Sequence, residues 1–82
     1  MPTVLQIGPY RFFFYSHEPN EPPHIHVASG RATAKVWTGT IALARSKGFP
    51  AHELGAIIRL VRSNRELFLE AWHDHFGASP NI

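Results

Sequence analysis

The sequence contains no cysteine, and this absence removes two classes of site. No disulfide can stabilise the fold, and no metal site can use thiolate ligands. Any bound metal would therefore depend on histidine and carboxylate side chains. We predict no metal and no cofactor.

Long apolar runs are also absent, since no segment approaches the roughly 18 consecutive apolar residues of a membrane-spanning helix. The first residues, MPTVLQIGPYRFFFYS, carry neither a basic leader nor a small-residue cleavage site. We therefore expect no membrane partner and a cytoplasmic location.

The chain has no dense run of one charge. Residues 1–50 hold five Lys or Arg against two Asp or Glu, whereas residues 51–82 hold three against four. This mild basic excess in the first half permits an anionic partner without requiring one.

The 82 residues are 44% hydrophobic and 17% charged, which is enough apolar surface to offset the entropy of ordering one small domain. We predict a single domain over residues 1–82. It consists of a sheet region over 1–46, which includes a proline-rich loop at 17–23, and a helical region over 50–77.

Aromatic and β-branched residues separated by turn signals predict strands over 3–7, 10–16, about 24–28 and about 31–37. Gly8-Pro9 and Ser29-Gly30 are the expected turns. The segment TIALARS after Thr38-Gly39 suggests a short edge strand. The apolar period then changes to about 3.6 residues over 51–76, which indicates an amphipathic helix.

Pro50 suits the first turn of this helix, and Gly77 is placed to cap its end. Ser63-Asn64 interrupts it with two weak helix formers, so a kink or two helices meeting there are both open. The predicted fold class is α+β, with an antiparallel sheet of four to five strands packed on one face by a C-terminal long or kinked helix.

A two-residue loop at Ser29-Gly30 would pair His24 with Lys35 and His26 with Thr33. The alternation of side chains along each strand then gives the hairpin two faces. One is apolar and lies under the helix, and the other is open. The expected open face carries six polar or aromatic residues and no carboxylate: His24, His26, Arg31, Thr33, Lys35 and Trp37.

Two histidines beside cations indicate acid/base cleavage of a phosphodiester, because imidazole exchanges protons near neutral pH and a cation stabilises a developing oxyanion. The candidate catalytic residues are His24, His26 and Lys35. Trp37 and Tyr15, with Phe13, could stack unpaired bases. The candidate substrate-binding residues are Arg31, Thr33, Trp37, Arg11 and Tyr15.

Two other interpretations of the histidines stay open. They could hydrogen-bond the proline-rich loop, or they could bind a metal with Glu18, Glu21 or His17 as third ligand. Lys35 opposite His24 argues against the metal, because it would repel a dication.

A non-enzymatic interaction module is the other functional class. An open sheet edge and the aromatic run from Phe12 to Tyr15 would expose more apolar surface than one helix covers. A protein partner or a homodimer would then cover the remainder, although such aromatics are more often core than interface.

The segments RFFFYS, PPHIHV and AKVW, followed by NRELFLEAW, resemble the bacterial family catalogued as Domain of Unknown Function 4160. The resemblance covers essentially the whole chain. It rests on these positions: Arg11, Tyr15, Pro22, Pro23, His24, His26, Gly30, Lys35, Asn64, Arg65, Glu66 and Trp72. Pro50 departs from it, where the family pattern favours a serine-like helix cap.

The resemblance assigns no catalytic residue. It implies a gene beside that of another small protein, an arrangement similar to toxin–antitoxin pairs. The resulting hypothesis is the toxin component of a type II toxin–antitoxin-like module, a metal-independent endoribonuclease that acts on RNA. The alternative is the non-catalytic, antitoxin-like component of the same two-gene system.

Overall fold

A computed structural model describes residues 3–14 and 21–76 of the chain, with the side chains of residues 75 and 76 left out. Its fold is α+β, as predicted. Five antiparallel strands lie side by side in chain order: β1 (Thr3–Ile7), β2 (Tyr10–Phe13), β3 (His24–Ser29), β4 (Ala32–Trp37) and β5 (Ala42–Lys47). Two helices follow: α1 (Ala51–Ser63) and α2 (Arg65–Phe76).

The turn between β3 and β4 lies one residue later than predicted. Ser29 pairs with Ala32, so the loop residues are Gly30 and Arg31. Gly30 has a φ of +60°, and glycine at the first loop position is typical of a type II′ turn, whose twist matches that of the strands. The predicted pairing was therefore wrong, because each β3 residue pairs with a residue two positions further along β4. His26 lies opposite Lys35 instead of Thr33.

This shift leaves the predicted faces intact, because a displacement of two residues preserves the alternation of side chains. One face carries Ile25, Val27, Ala34 and Val36, all buried. Residues of both helices pack on it and complete the core: Ile57, Val61, Phe68 and Trp72. Phe68 stacks on Phe12 with ring centroids 5.3 Å apart.

The helical region forms two helices that meet at Asn64, one of the two outcomes left open by the sequence. Asn64 Nδ2 donates to the carbonyl of Leu60 at 2.9 Å, and the Asn64 carbonyl accepts from the Phe68 amide at 3.0 Å. One asparagine thus closes α1 and supports the first turn of α2. The expected cap at Gly77 lies outside the described residues.

The aromatic run on β2 does not form an exposed surplus. Phe12, Phe13 and Phe14 are all buried within this chain. Of the two roles considered for these aromatics, core and interface, these three residues therefore have the core role. Tyr15, the fourth member of the run, lies outside the described part of the chain.

Candidate functional site

A groove of about 290 Å³ crosses the sheet face that does not carry the helices. Its side chains belong to residues that pair across β2, β3, β4 and β5, because paired residues of neighbouring strands point to the same face. We call it the cationic groove and define it by six residues: Phe13, His26, Thr33, Lys35, Arg45 and Lys47.

A β-bulge places two of these cations. Lys35 pairs with Arg45, but the next pair along is Val36 with Leu43, so Ala44 is an extra residue on β5. In a regular strand Leu43, Arg45 and Lys47 would share one face. The bulge separates them and directs Arg45 and Lys47 into the groove. Neither residue is predicted from the sequence, because simple alternation of side chains along TIALARSK does not reveal a bulge.

His24 is buried at the end of the sheet, with 1% of its surface exposed. Its Nδ1 lies 3.0 Å from the carbonyl of Pro22 and therefore donates to it, since a carbonyl only accepts. The imidazole also contacts Trp37 and Trp72, with ring centroids 5.6 and 4.9 Å away. The prediction that His24 lies on an open face was wrong. Its contacts match the alternative in which an imidazole holds the proline-rich loop.

His26 is also largely buried, at 6% exposure, and this too differs from the expected open position. Its ring stacks on Phe13 at a centroid distance of 5.5 Å and lies edge-on to His24 at 5.0 Å. Unlike His24, it lines the cationic groove. The structure therefore separates the two histidines by position, and His26 is the one that lines the cationic groove.

Lys35 is 7% exposed and occupies the middle of the groove. Its Nζ donates to Glu21 Oε1 at 2.5 Å and lies 4.7 Å from the ring centroid of Trp37. The same Glu21 oxygen is 3.7 Å from His24 Nδ1. The strand residues of this face carry no carboxylate, as expected, and Glu21 of the proline-rich loop supplies one. This ion pair compensates the burial of the ammonium group.

The other candidate residues lie in different places. Thr33 lines the groove, and Trp37 follows Lys35 on the same face. Arg11 lies over the Phe13 ring at 4.4 Å and donates to Thr3 Oγ1 at 3.3 Å. Arg31, predicted as a strand residue on this face, is instead an exposed turn residue outside the groove. Tyr15 is not among the described residues.

The groove has an uneven charge balance. Within residues 3–14 and 21–76, Glu21 is the carboxylate paired with Lys35, and no ion pair involves Arg45 or Lys47. Lys35 and Arg45 face each other directly across β4 and β5. Glu21 compensates the charge of Lys35, which leaves Arg45 and Lys47 as groove cations without a carboxylate partner among the described residues. The chemistry of the groove therefore favours an anionic ligand.

No cluster of three or more possible metal ligands occurs among the described residues. Two of the proposed third ligands, His17 and Glu18, lie outside them. No helix in the described part of the chain is long and apolar enough to cross a membrane.

The family model described as "Domain of unknown function (DUF4160)" matches residues 10–73, more than three quarters of the chain. The chain belongs to this family. No curated protein and no solved structure matches it. The DUF4160 match includes the entire cationic groove and both helices up to His73.

Several residues that carry the DUF4160 resemblance have structural contacts. Gly30 supplies the positive φ of the β3–β4 turn, and Asn64 joins the helices. Arg65 donates to the carbonyls of Thr38 and Gly39 at 3.0 and 3.3 Å. These contacts orient the loop beside the groove.

Proposed function

We propose that this DUF4160 protein binds RNA in the cationic groove and acts as the toxin component of a two-gene module by cleaving that RNA. His26 is the proton-transfer residue of this mechanism. Arg11, Arg45 and Lys47 hold the phosphates, and Lys35 contacts the reacting phosphodiester in competition with its carboxylate partner Glu21. His24 is a positioning residue that anchors the loop carrying Glu21.

The observation that carries this proposal is the row of His26, Lys35 and Arg45 across three adjacent strands. Three nitrogen-bearing side chains at neighbouring positions match the spread of negative charge on a phosphodiester. Arg45 and Lys47 have no carboxylate partner within the described residues, so both can contact phosphate. Phe13 and Trp37 add aromatic surface at the sides of the groove.

The reaction would use the 2′-hydroxyl of RNA as nucleophile. The neutral imidazole of His26 accepts the hydroxyl proton while the 2′-oxygen attacks phosphorus, and the 5′-oxygen leaves with a proton from the imidazolium or from water. The products are a 2′,3′-cyclic phosphate and a free 5′-hydroxyl. Lys35 and Arg45 stabilise the charge that develops on the phosphoryl oxygens.

The test compares wild type with His26→Asn and with His52→Asn, a control at an exposed histidine on α1. Binding of a labelled single-stranded RNA is followed by fluorescence anisotropy, and cleavage by gel electrophoresis. Growth of a bacterial host is measured on induction of each variant, after circular dichroism has confirmed that each one folds.

We expect wild type and His52→Asn to cleave RNA and arrest growth, and His26→Asn to bind RNA without cleaving it. Binding without cleavage by wild type would leave an RNA-binding protein and refute the catalytic role of His26. Absence of RNA binding by folded wild type would refute the proposal as a whole.

A second candidate function is a partner-binding module, which the outer strand of the sheet favours. β5 has a neighbour on one side only within the described sheet, and its Leu43 is 40% exposed. A small protein encoded by a neighbouring gene, or a second copy of the chain, could cover this edge. Leu43→Asp would then abolish complex formation on size-exclusion chromatography and leave RNA binding unchanged.

A further inference from the structure

A second cavity, of about 280 Å³, lies next to the cationic groove. It is bounded by the Pro22-Pro23 pair on one side, by Trp37, and by Gly39 and Thr40 of the β4–β5 loop on the other. We call it the proline–tryptophan slot. Its volume lies slightly below that of typical ligand pockets, which span about 300–1,000 Å³, so it suits a single planar group.

The walls of this slot are held by backbone hydrogen bonds. The Thr38 amide donates to the Pro23 carbonyl at 3.0 Å, which ties the proline pair to the loop. Arg65 binds the loop from α2 through the carbonyls of Thr38 and Gly39. Both walls are therefore positioned before any ligand arrives, which lowers the entropic cost of binding.

The slot and the groove are neighbours along β4. Thr33, Lys35 and Trp37 alternate onto the same face, and two residues of a strand span about 6.6 Å. Lys35 Nζ lies over the Trp37 ring at 4.7 Å. A chain whose phosphates contact Arg45 and Lys47 would therefore pass Lys35 and reach the slot.

We propose that the proline–tryptophan slot binds one unstacked base of a single-stranded RNA, with Trp37 as the stacking platform. This inference rests on the proposed RNA function and adds a selectivity to it. Bases in a duplex are stacked and cannot enter such a slot, whereas every single-stranded base presents a flat face. The groove alone binds phosphate, and the slot makes the protein select single strands.

The test uses two slot variants. Trp37→Leu removes the platform. Gly39→Leu fills the slot, and it is compatible with the backbone because a Cβ at Gly39 meets no heavy atom within 4 Å and the residue has no positive φ. Ser63→Leu adds the same side chain at an exposed helix end as a control. The probes are a labelled oligouridylate, its duplex with oligoadenylate, polyphosphate, which has no bases, and a labelled proline-rich peptide.

We expect wild type and Ser63→Leu to bind the single strand more tightly than the duplex or polyphosphate. Both slot variants should lose about 5- to 160-fold in single-strand affinity and keep their affinity for polyphosphate. Unchanged single-strand binding by folded Gly39→Leu and Trp37→Leu would refute base binding in the slot. It would not contradict RNA binding in the cationic groove. Wild type that binds polyphosphate as tightly as RNA would also refute base binding in the slot.

Two further outcomes would overturn the slot. Loss of binding to a proline-rich peptide by Gly39→Leu, with RNA binding intact, would assign the slot to a protein side chain. No binding of any probe by folded wild type would refute the groove and the slot together, and this result is distinct from a failure of the slot alone.

Discussion

Replacement of Arg45 by glutamine should make RNA binding less sensitive to salt. Each phosphate contact to single-stranded RNA contributes about −0.7 to the slope of log affinity against log salt concentration. Three cations on the groove face have no carboxylate partner among the described residues, namely Arg11, Arg45 and Lys47, whereas Lys35 is compensated by Glu21. Three contacts predict a slope of about −2.1 for wild type, and two predict about −1.4 for Arg45→Gln.

Between about 50 and 200 mM salt, these slopes correspond to an affinity loss of about 18-fold for wild type and about sevenfold for the variant. Fluorescence anisotropy of a labelled RNA across this range measures both slopes. Arg59→Gln, at an exposed position on α1, removes the same charge outside the groove and should keep the wild-type slope. Equal slopes for Arg45→Gln and wild type would refute the assignment of Arg45 to a phosphate.

Three further predictions concern other contacts. Glu21→Gln removes the carboxylate from Lys35 and should steepen the salt slope by about 0.7; a shallower slope would contradict the proposed competition between Glu21 and phosphate. Phe68→Ala should lower the free energy of unfolding by about 3–5 kcal/mol in urea denaturation, because Phe68 is buried against Phe12, and a loss below about 1 kcal/mol would contradict that packing. The hydrogen bond to Glu53 raises the pKa of Tyr10, with burial and the Glu53 charge as further causes. The Tyr10–Glu53 hydrogen bond therefore stabilises the folded state below the ordinary tyrosine pKa. Its contribution disappears as pH rises through the raised pKa of Tyr10. Glu53→Gln should therefore lower the Tyr10 pKa in an ultraviolet titration of a chain whose other tyrosine is phenylalanine.

Much of the fold follows from local patterns in the sequence. Gly8-Pro9 and Gly30 mark the turns, the apolar period changes near Pro50, and Ser63-Asn64 marks the helix break. The two faces of the β3–β4 hairpin were also predicted correctly, although its register was not. An error of two residues preserves alternation, whereas an error of one would have exchanged the faces.

The candidate site was predicted less completely, because its geometry depends on contacts between distant segments. Glu21 reaches Lys35 across the groove, and Trp72 of α2 covers His24 at the end of β3. Neither contact has a signal in the spacing of residues along the chain. The burial of both histidines could not be inferred from alternation, which assigns a face but does not say what covers it.

The sequence by itself determined the α+β class, the faces of the central hairpin and the concentration of basic residues in the sheet region, since these depend on local propensity and side-chain periodicity. Only the tertiary structure decided which of those residues form the groove. The bulge at Ala44 directs Arg45 and Lys47 to the face of His26 and Lys35, and a bulge is selected by packing across neighbouring strands rather than by the residues of one strand.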